Sequence, residues 1–380
     1  MPDPKPLEGI RVIELARVLA GPWCGQLLAD LGAEVIKVER PGSGDDTRHW
    51  GPPFVTDADG ANLGAAYYHS CNRGKRGVAI DMASSEGQAE IRALLATADV
   101  VIENYKVGGL TKYGLDPARL CADFPHLIVC SITGFGQTGP YAPRAGYDFI
   151  IQAMGGAMAL TGEPDGAPQK AGVAYADIFT GMYATVAILA ALRRRDVTRR
   201  GAHIDMALLD CQVGVLANQA ANYLASGSVP KRMGNGHANV VPYQAFATAD
   251  GDLVIAVGND GQFRKLCAIL GEPGWADDDR FATNSARLKN RRILIPLLAA
   301  RIAAWEALPL SLVLEADGVP AGSINDMAGV FADPHVVARG MRFRPEGAHV
   351  DGLASPIVID GERMVASCGA PPLEERAATI

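Results

Sequence analysis

The chain has 380 residues, of which 48% are hydrophobic and 20% charged, and its formal net charge is -7. This composition is typical of a globular protein with a sizeable core, long enough for one large domain or two ordinary ones. The negative charge argues against a nucleic acid or an anionic membrane surface as a general partner.

Cysteine and histidine placement indicates neither a disulfide framework nor a metal site. The seven cysteines are scattered, no CxxC pair occurs, and the nearest histidines are not at zinc-site spacings. We expect buried thiols in a reducing compartment and no bound metal. No apolar run approaches the roughly 18 residues that span a bilayer, and the N-terminal residues resemble no secretory or transit signal. A cytoplasmic protein without membrane contact is therefore predicted.

The first third of the chain alternates between predicted strands and helices. One helix opens with Ser85 and Gln88 at capping-box spacing. Strands that alternate with helices predict an α/β fold with an open, doubly wound, Rossmann-like parallel sheet, whose ligands bind beyond the carboxyl ends of the strands. In chain order we predict strands at 10–15, 33–39, 77–82, 99–105 and 126–136, and helices at 22–32, 84–98 and 116–125.

The pattern changes after residue 225. A long Ala-rich helix at 178–195, a strand at 203–209 and a helix at 210–225 come before a loop rich in glycine and proline at 226–242. A hairpin with the turn "ADGD" and a helix-rich stretch follow. We predict a large domain at 1–225, to which 330–380 returns, and a smaller α+β domain at 226–329.

Basic residues recur in the loops that follow predicted strands. Solvated surface charge is one explanation; a rim that binds phosphates is the other. The loop at 40–53 contains Arg48 and is either a surface loop or a functional one. Only Gly21 and Gly25 stand where a nicotinamide-binding turn needs three glycines, so that function is not expected. The basic residues are Arg40, Arg48, Arg73, Lys75, Arg76, Lys106 and Lys112.

Asp177 is the only acid between Ala171 and Arg193, at the start of the long Ala-rich helix. Aspartate is a favoured N-cap, and this is the structural explanation. The same position suits a nucleophile, because helix N-terminal amides favour an ionised carboxylate and can hold a developing oxyanion. Both roles stay open on the residues alone.

Five blocks of the chain resemble the class III CoA-transferases, a group that includes formyl-CoA and carnitine CoA-transferases and shares its fold with α-methylacyl-CoA racemases. The resemblance covers nearly the whole chain in the expected order. The blocks are "GIRVIELARVLAGPWCGQLLADLGAEVIKVERPGSGDDTR", "NRGKRGVAIDM", "VIENYKVGGLTKYGL", "SITGFGQTGPYAPRAGYDFIIQAMGG" and "GVPAGSINDMAGVFADPHVVARGM".

The resemblance implies that coenzyme A binds along the strand ends of the large domain. Asp177 matches the family's catalytic aspartate. Lys112 stands where several members carry arginine, which keeps a cation without bidentate geometry. The residues that match the family's CoA-binding blocks are Arg40, Asn72, Lys75, Arg76, Asn104, Tyr105 and Lys112.

Three departures from the family bear on the substrate. Leu19 replaces the glutamine of formyl-CoA transferase, and the loop with Gly258 and Gly261 replaces its glycine run, so oxalate and formate specificity is not expected. Tyr147 stands where the racemases carry a histidine, and a phenol is a poor base near neutral pH. The glycines predict a loop that lines the site and helps to cover it.

The resemblance implies an enzyme that moves CoA from an acyl-CoA donor, with succinyl-CoA as the guess, to a carboxylic acid. It also implies a homodimer of interlocked, ring-like chains. Two alternatives remain: a racemase or isomerase on the same fold, and a non-catalytic CoA-binding protein.

Overall fold

The computed structural model describes residues 4–373. The chain divides into two compact units. The larger comprises the described residues up to Met158, Lys170–Ser228 and those from Pro334 onward; the smaller comprises Ala159–Gln169 and Val229–Asp333. Two boundaries fall at 228 and 333, where the sequence predicted 225 and 329. The sequence did not predict that residues 159–169 belong to the smaller unit.

Strands and helices are numbered in chain order. The strands are β1 Arg11–Glu14, β2 Glu34–Glu39, β3 Phe54–Thr56, β4 Asn62–Ala65, β5 Lys75–Ala79, β6 Val100–Glu103, β7 Ile128–Thr133, β8 Ala202–Ala207, β9 Tyr243–Ala247, β10 Asp252–Ala256, β11 Ala321–Ser323, β12 Arg342–Phe343, β13 Gly352–Leu353, β14 Val358–Ile359 and β15 Glu362–Arg363. The helices are α1 Ala20–Asp30, α2 Ala66–His69, α3 Ser85–Ala96, α4 Pro117–Asp123, α5 Asp148–Met154, α6 Ala157–Leu160, α7 Tyr175–Thr198, α8 Leu208–Gly214, α9 Ala217–Ser226, α10 Asp260–Ile269, α11 Asn284–Lys289, α12 Arg291–Ile302, α13 Ala307–Ala316, α14 Met327–Ala332 and α15 Pro334–Ala338.

A six-stranded parallel sheet lies at the centre of the larger unit, in the order β5-β2-β1-β6-β7-β8. This is the strand order of dinucleotide-binding sheets, and its direction of winding reverses between β1 and β6. The predicted parallel α/β sheet is thus confirmed. The short strands β3 and β4 form a separate antiparallel pair that the sequence did not reveal.

Apolar residues on both faces explain why these strands form. Val12 belongs to a core that includes α1 and α7, whereas the next residue, Ile13, belongs to a core that includes α3 and α4. A strand covered on both faces gains nothing from alternation, so its residues are continuously apolar. Strand β8, at the edge of the sheet, instead alternates between more and less exposed residues.

Helices α1 and α7 pack closely beside the sheet. A Cβ on Gly181 would lie 2.7 Å from the carbonyl oxygen of Ala20 and 3.1 Å from the side chain of Trp23, so only glycine permits this approach. Helix α7 is long and apolar enough to cross a membrane by composition, which contradicts the expectation that no such run exists. Eight of its residues, however, are buried in the larger unit, as in the core helix of a folded domain.

The smaller unit contains the antiparallel sheet β11-β10-β9 packed on helices. Strands β9 and β10 are the predicted hairpin. Two sequence predictions about helices need correction. The N-cap of α3 is Ser84, whose hydroxyl accepts a hydrogen bond from Gly87, rather than Ser85. The helix predicted at 210–225 is two helices, because the chain takes a positive φ of 45° at Ala217.

Candidate active site

A cavity of about 890 Å³ lies in the larger unit at the carboxyl ends of its central strands. Residues 17–20 after β1, 104–109 after β6 and 132–134 at the end of β7 line it. The cavity therefore lies where the strand order reverses, which is the expected ligand position in a doubly wound sheet. The side chains predicted from sequence that meet here are those of Leu19, Asn104, Tyr105, Lys112, Tyr147 and Asp177.

Asp177 lies in the first turn of α7 and does not cap that helix. The N-cap residue is Ala174, which has no capping side chain. The capping carboxylate belongs to Asp148, whose Oδ1 accepts hydrogen bonds from the backbone N–H of Ala176 at 2.8 Å and of Asp177 at 3.4 Å. Among the described residues, none donates a hydrogen bond to the Asp177 carboxylate. That carboxylate is half-buried, lines the cavity and is available for chemistry.

The environment of Asp177 makes its carboxyl group a weaker acid than expected. Burial, and then the negative charge of Asp148, raise the pKa of Asp177 to about 7. The sequence predicted that the helix N-terminal amides favour the ionised carboxylate at neutral pH. Desolvation and a like charge act against the favourable helix dipole, so the group is only partly ionised at pH 7.

Asp148 is itself held in place by its own helix. Gln152, one turn later on α5, donates to Asp148 Oδ2 at 2.7 Å and accepts from the backbone N–H of Ala171 at 3.0 Å. Asp148 and Gln152 thus connect α5 to the segment that leads into α7. This connection holds the Asp148 carboxylate against the amino-terminal end of α7.

Positive charge dominates the cavity wall. Four cationic side chains line the cavity, against the two carboxylates of Asp46 and Asp177. Arg144 lies over the rings of Phe135 and Tyr141, with its guanidinium carbon 5.2 and 4.5 Å from their centroids. Such a wall suits a ligand that carries several phosphates. The cations are Arg17, Lys106, Lys112 and Arg144.

Two of these cations, Arg17 and Arg144, were not among the predicted site residues. Arg17 pairs with Asp46 at 2.9 Å and lies 5.8 Å from the centroid of the Tyr105 ring. It follows a strand by three residues, so the rule that selected the other basic residues could have found it. Arg144 follows no strand directly, and only the tertiary structure brings it to the cavity.

The turn between β1 and α1 forms the wall beside Asp177. Val18 has a φ of 73°, an outlier for a β-branched residue, and such strain costs about 1–3 kcal/mol. Asn104 supports the turn: its Oδ1 accepts from the backbone N–H of Arg17 at 3.0 Å, and its Nδ2 donates to the Arg17 carbonyl at 2.7 Å. Both atoms of the Asn104 amide group are thus hydrogen-bonded to the backbone of Arg17, and the residue also lines the cavity.

Comparison with known proteins gives the family. A profile of CoA-transferase family III matches residues 7–377. The chain belongs to CoA-transferase family III. The succinate–glutarate CoA-transferase of Agrobacterium fabrum is 56% identical across 100% of this chain and 96% of its own. The human succinyl-CoA:glutarate CoA-transferase is 45% identical across 93% of this chain and 79% of its own.

A solved structure supports the same assignment. A CaiB/BaiF family protein from Brucella suis is 58% identical, with a TM-score of 0.88 over 98% of this chain and 97% of that one. The protein is a CoA-transferase that acts on acyl-CoA and carboxylate substrates. This confirms the predicted transferase activity over the racemase and non-catalytic alternatives.

Two residues predicted to bind CoA lie inside this CoA-transferase instead. The Lys75 side chain is fully buried and pairs with Glu14 at 2.8 Å. Its ammonium group also donates a hydrogen bond to Asn72 Oδ1 at 2.8 Å, and the Asn72 amide in turn donates to the Tyr68 carbonyl. Both side chains are therefore occupied by partners inside the protein. The prediction for Lys75 and Asn72 is therefore wrong in position: sequence shows a lysine's charge but not the buried carboxylate that holds it.

Arg48 is also internal. Its guanidinium pairs with Glu39 at 2.7 Å, donates to the Tyr68 hydroxyl and the Pro371 carbonyl, and is 6% exposed. Neither the surface-loop nor the substrate-loop interpretation of Arg48 holds, since it joins the loop after β2 to the C-terminal segment. A buried Arg–carboxylate pair of this kind is costly to break from one side.

Two further predicted cations lie outside the cavity. Arg76 is near the amino end of β5, the opposite edge from the cavity, and is exposed 4.0 Å from Glu34. Its predicted CoA contact gains no support from this position and stays a prediction. Arg40 is exposed just after β2, at the carboxyl edge but not in the cavity wall. Its contact with CoA stays a prediction.

The loop with Gly258 and Gly261 belongs to the smaller unit and is ordered by a helix cap. Asn259 Oδ1 accepts from the Gln262 N–H at 3.0 Å, while Gln262 Oε1 accepts from the Gly258 N–H at 2.7 Å. Neither glycine has a positive φ, so neither is required by backbone conformation. Their predicted place beside the substrate stays a prediction. Within residues 4–373, no group of acids, cysteines or histidines is arranged to hold a metal ion.

Proposed function

We propose that this enzyme transfers CoA from succinyl-CoA to a second dicarboxylic acid, with Asp177 as the nucleophile. The observation that carries the proposal is the Asp177 carboxylate, which faces a cationic cavity while Asp148 caps the helix in its place. Relatives that are named for transfer between succinate and glutarate support the substrate class.

The reaction then runs in four balanced steps. Asp177 attacks the thioester carbonyl of the donor and the C–S bond breaks. CoA departs as the thiolate, and a mixed anhydride between Asp177 and the donor acyl group is formed. The thiolate attacks the Asp177 carbonyl, which releases the donor acid and gives an aspartyl-CoA thioester. The acceptor carboxylate attacks this thioester and releases the thiolate again. The thiolate finally attacks the acyl carbonyl of the second anhydride, which forms the new acyl-CoA and restores Asp177.

Charge around the cavity supports the placement of CoA. Lys112 and Arg144 are exposed cations at the cavity wall. Each lies over an aromatic ring, with Lys112 Nζ 4.7 Å from the Tyr113 centroid and the Arg144 guanidinium carbon 4.5 Å from the Tyr141 centroid. We assign the diphosphate and 3′-phosphate of CoA to this wall and to Arg40 beyond the end of β2. Charge-assisted hydrogen bonds to phosphate are stronger than neutral ones.

Exposed apolar side chains on α7 support a proposal about assembly. Helix α7 exposes Met182, Tyr183 and Val186, which are 46%, 45% and 63% exposed. An interlocked homodimer, as the family resemblance implies, would cover such side chains. We place the enzyme in the cytoplasm because its substrates are metabolic thioesters.

The test is Asp177→Asn, assayed with succinyl-CoA and a panel of mono- and dicarboxylic acids by mass spectrometry of the CoA products. We expect the variant to bind CoA and to lose transfer by several orders of magnitude. Hydroxylamine added to wild type during turnover is expected to label Asp177 alone. Wild-type transfer by the variant would exclude Asp177 as nucleophile, and a preference for monocarboxylates would exclude the proposed acceptor class.

A further inference from the structure

Four buried charges lie behind the turn between β1 and α1. The side chains of Glu14, Lys37, Asp45 and Lys75 are all fully buried. Lys37 Nζ lies 3.0 Å from Glu14 Oε1 and 2.9 Å from Asp45 Oδ2, and Lys75 Nζ lies 2.8 Å from Glu14 Oε2. Gly25 makes room for this group, since a Cβ there would lie 1.8 Å from Glu14 Oε2. Two ammonium groups thus balance two carboxylates.

The two lysines also bind the backbone of the turn. Lys37 Nζ donates to the carbonyl of Ala16 at 3.0 Å, and Lys75 Nζ donates to the carbonyl of Pro22 at 2.8 Å. These carbonyls stand on either side of residues 17–21. The buried charges therefore hold both ends of the turn that borders the cavity.

Asp45 holds the middle of the same turn. Both of its carboxylate oxygens lie 3.3 Å from the backbone N–H of Val18. Asp45 is fixed in turn by Thr47, whose N–H and hydroxyl donate to Asp45 Oδ1 at 3.0 and 2.8 Å. Backbone strain persists only where surrounding groups over-determine it, and Val18 at φ 73° meets that condition here.

The strained residue leads directly to the surface that faces Asp177. Val18, Leu19 and Ala20 line the cavity together with Asp177. The Ala20 carbonyl packs against Gly181, one turn after Asp177 on α7. If Val18 relaxed to a negative φ, the backbone at Leu19 and Ala20 would move relative to the carboxylate.

We propose that Asp45, anchored by Lys37, is a positioning residue for CoA transfer that holds Val18 in its left-handed conformation and so fixes the cavity wall beside Asp177. This inference rests on the proposed function in one respect, that Asp177 is the reacting group. It assigns Asp45 no contact with substrate. The loss of about 1 Å of placement at a reacting centre can reduce turnover about 100-fold.

A double-mutant cycle separates positioning from stability. Asp45→Ala removes the acceptor for the Val18 N–H, whereas Val18→Gly removes the strain, since glycine adopts a positive φ without steric cost. We expect Asp45→Ala to lower kcat about 100-fold with little change in KM for succinyl-CoA. In the Val18→Gly background, the same substitution is expected to lower kcat less than about 10-fold.

The control is a second buried ion pair in the same unit, away from the cavity wall. Asp30 is fully buried and pairs with Arg73 at 2.6 Å, and neither residue lines the cavity. Asp30→Ala is expected to lower the melting temperature while kcat stays within about twofold of wild type. Asp45→Asn, which keeps an acceptor oxygen for the Val18 N–H, is expected to retain more activity than Asp45→Ala and provides a milder variant if alanine prevents folding.

Three results would overturn the proposal. One is an equal loss of kcat in Asp30→Ala and Asp45→Ala at matched loss of stability. The second is the same loss from Asp45→Ala with valine or glycine at position 18, and the third is wild-type kcat in Asp45→Asn and Asp45→Ala alike. Asp177→Asn assayed in parallel distinguishes these outcomes from a wrong nucleophile assignment.

Discussion

The substitution Asp148→Asn is expected to shift the pH dependence of CoA transfer, because the charge of Asp148 contributes to the raised pKa of Asp177. With a pKa of about 7, only about 9% of Asp177 is ionised at pH 6 and about 1% at pH 5. Because attack needs the carboxylate, kcat/KM of wild type is expected to fall about tenfold per pH unit below neutrality. Asn at 148 removes a like charge but keeps an oxygen for the Ala176 N–H, so the midpoint is expected to move to lower pH.

The assay is kcat/KM for succinyl-CoA between pH 5 and 9, because this ratio titrates the free enzyme. Titration of the CoA phosphates affects wild type and variant equally and cancels in their comparison. Gln152→Met is the matched control, since it removes the other partner of Asp148 but leaves both charges. An unchanged midpoint in Asp148→Asn, or a wild-type midpoint below pH 5, would refute the electrostatic reasoning, and a shifted midpoint in Gln152→Met would assign the effect to geometry.

Two other predictions follow from the same site. Asp177 binds its proton more tightly in the folded state than in the unfolded state, so its ionisation lowers the stability of the fold as pH rises from about 4 to about 7. Asp177→Asn is therefore expected to have a higher melting temperature than wild type at pH 8. A lower melting temperature there would indicate a lost cap. Lys112→Ala and Arg144→Ala are each expected to weaken CoA binding about tenfold or more by titration calorimetry, while Arg76→Ala, at the far edge of the sheet, stays like wild type. Equal weakening in all three would mean that general charge, not position, binds CoA.

The amino-acid sequence by itself determined the architecture of the larger unit and the edge of the sheet where its cavity lies. Runs such as "IRVIEL" and "AEVIKVE" are apolar throughout because both faces of each strand are covered, and that requirement is local enough to appear in a short window. The alternation of strands and helices then predicted a parallel sheet. The carboxyl-edge cavity at residues 17–20 and 104–109 follows from that topology.

Only the tertiary structure decided which charged residues belong to the site. Arg48 and Lys75 looked like rim cations, yet Glu39 and Glu14 hold them in the interior. Charge is a property of the residue, but exposure depends on partners that are distant in the chain. Arg144 shows the converse, because nothing in its own neighbourhood marks it as part of the cavity wall.

For Asp177, too, the sequence predicted part of the role and the tertiary structure decided the rest. Its isolation in an apolar segment predicted a special residue, and the start of α7 predicted a cap. The cap proved to be Asp148, which lies 29 residues earlier in the chain and accepts a hydrogen bond from the Asp177 N–H. Because Asp148 is the cap, the Asp177 carboxylate is left free. Burial, and then the negative charge of Asp148, raise the pKa of Asp177 to about 7. A helix end specifies in sequence that its amides need an acceptor, whereas the packing of α5 against α7 decides which carboxylate supplies it.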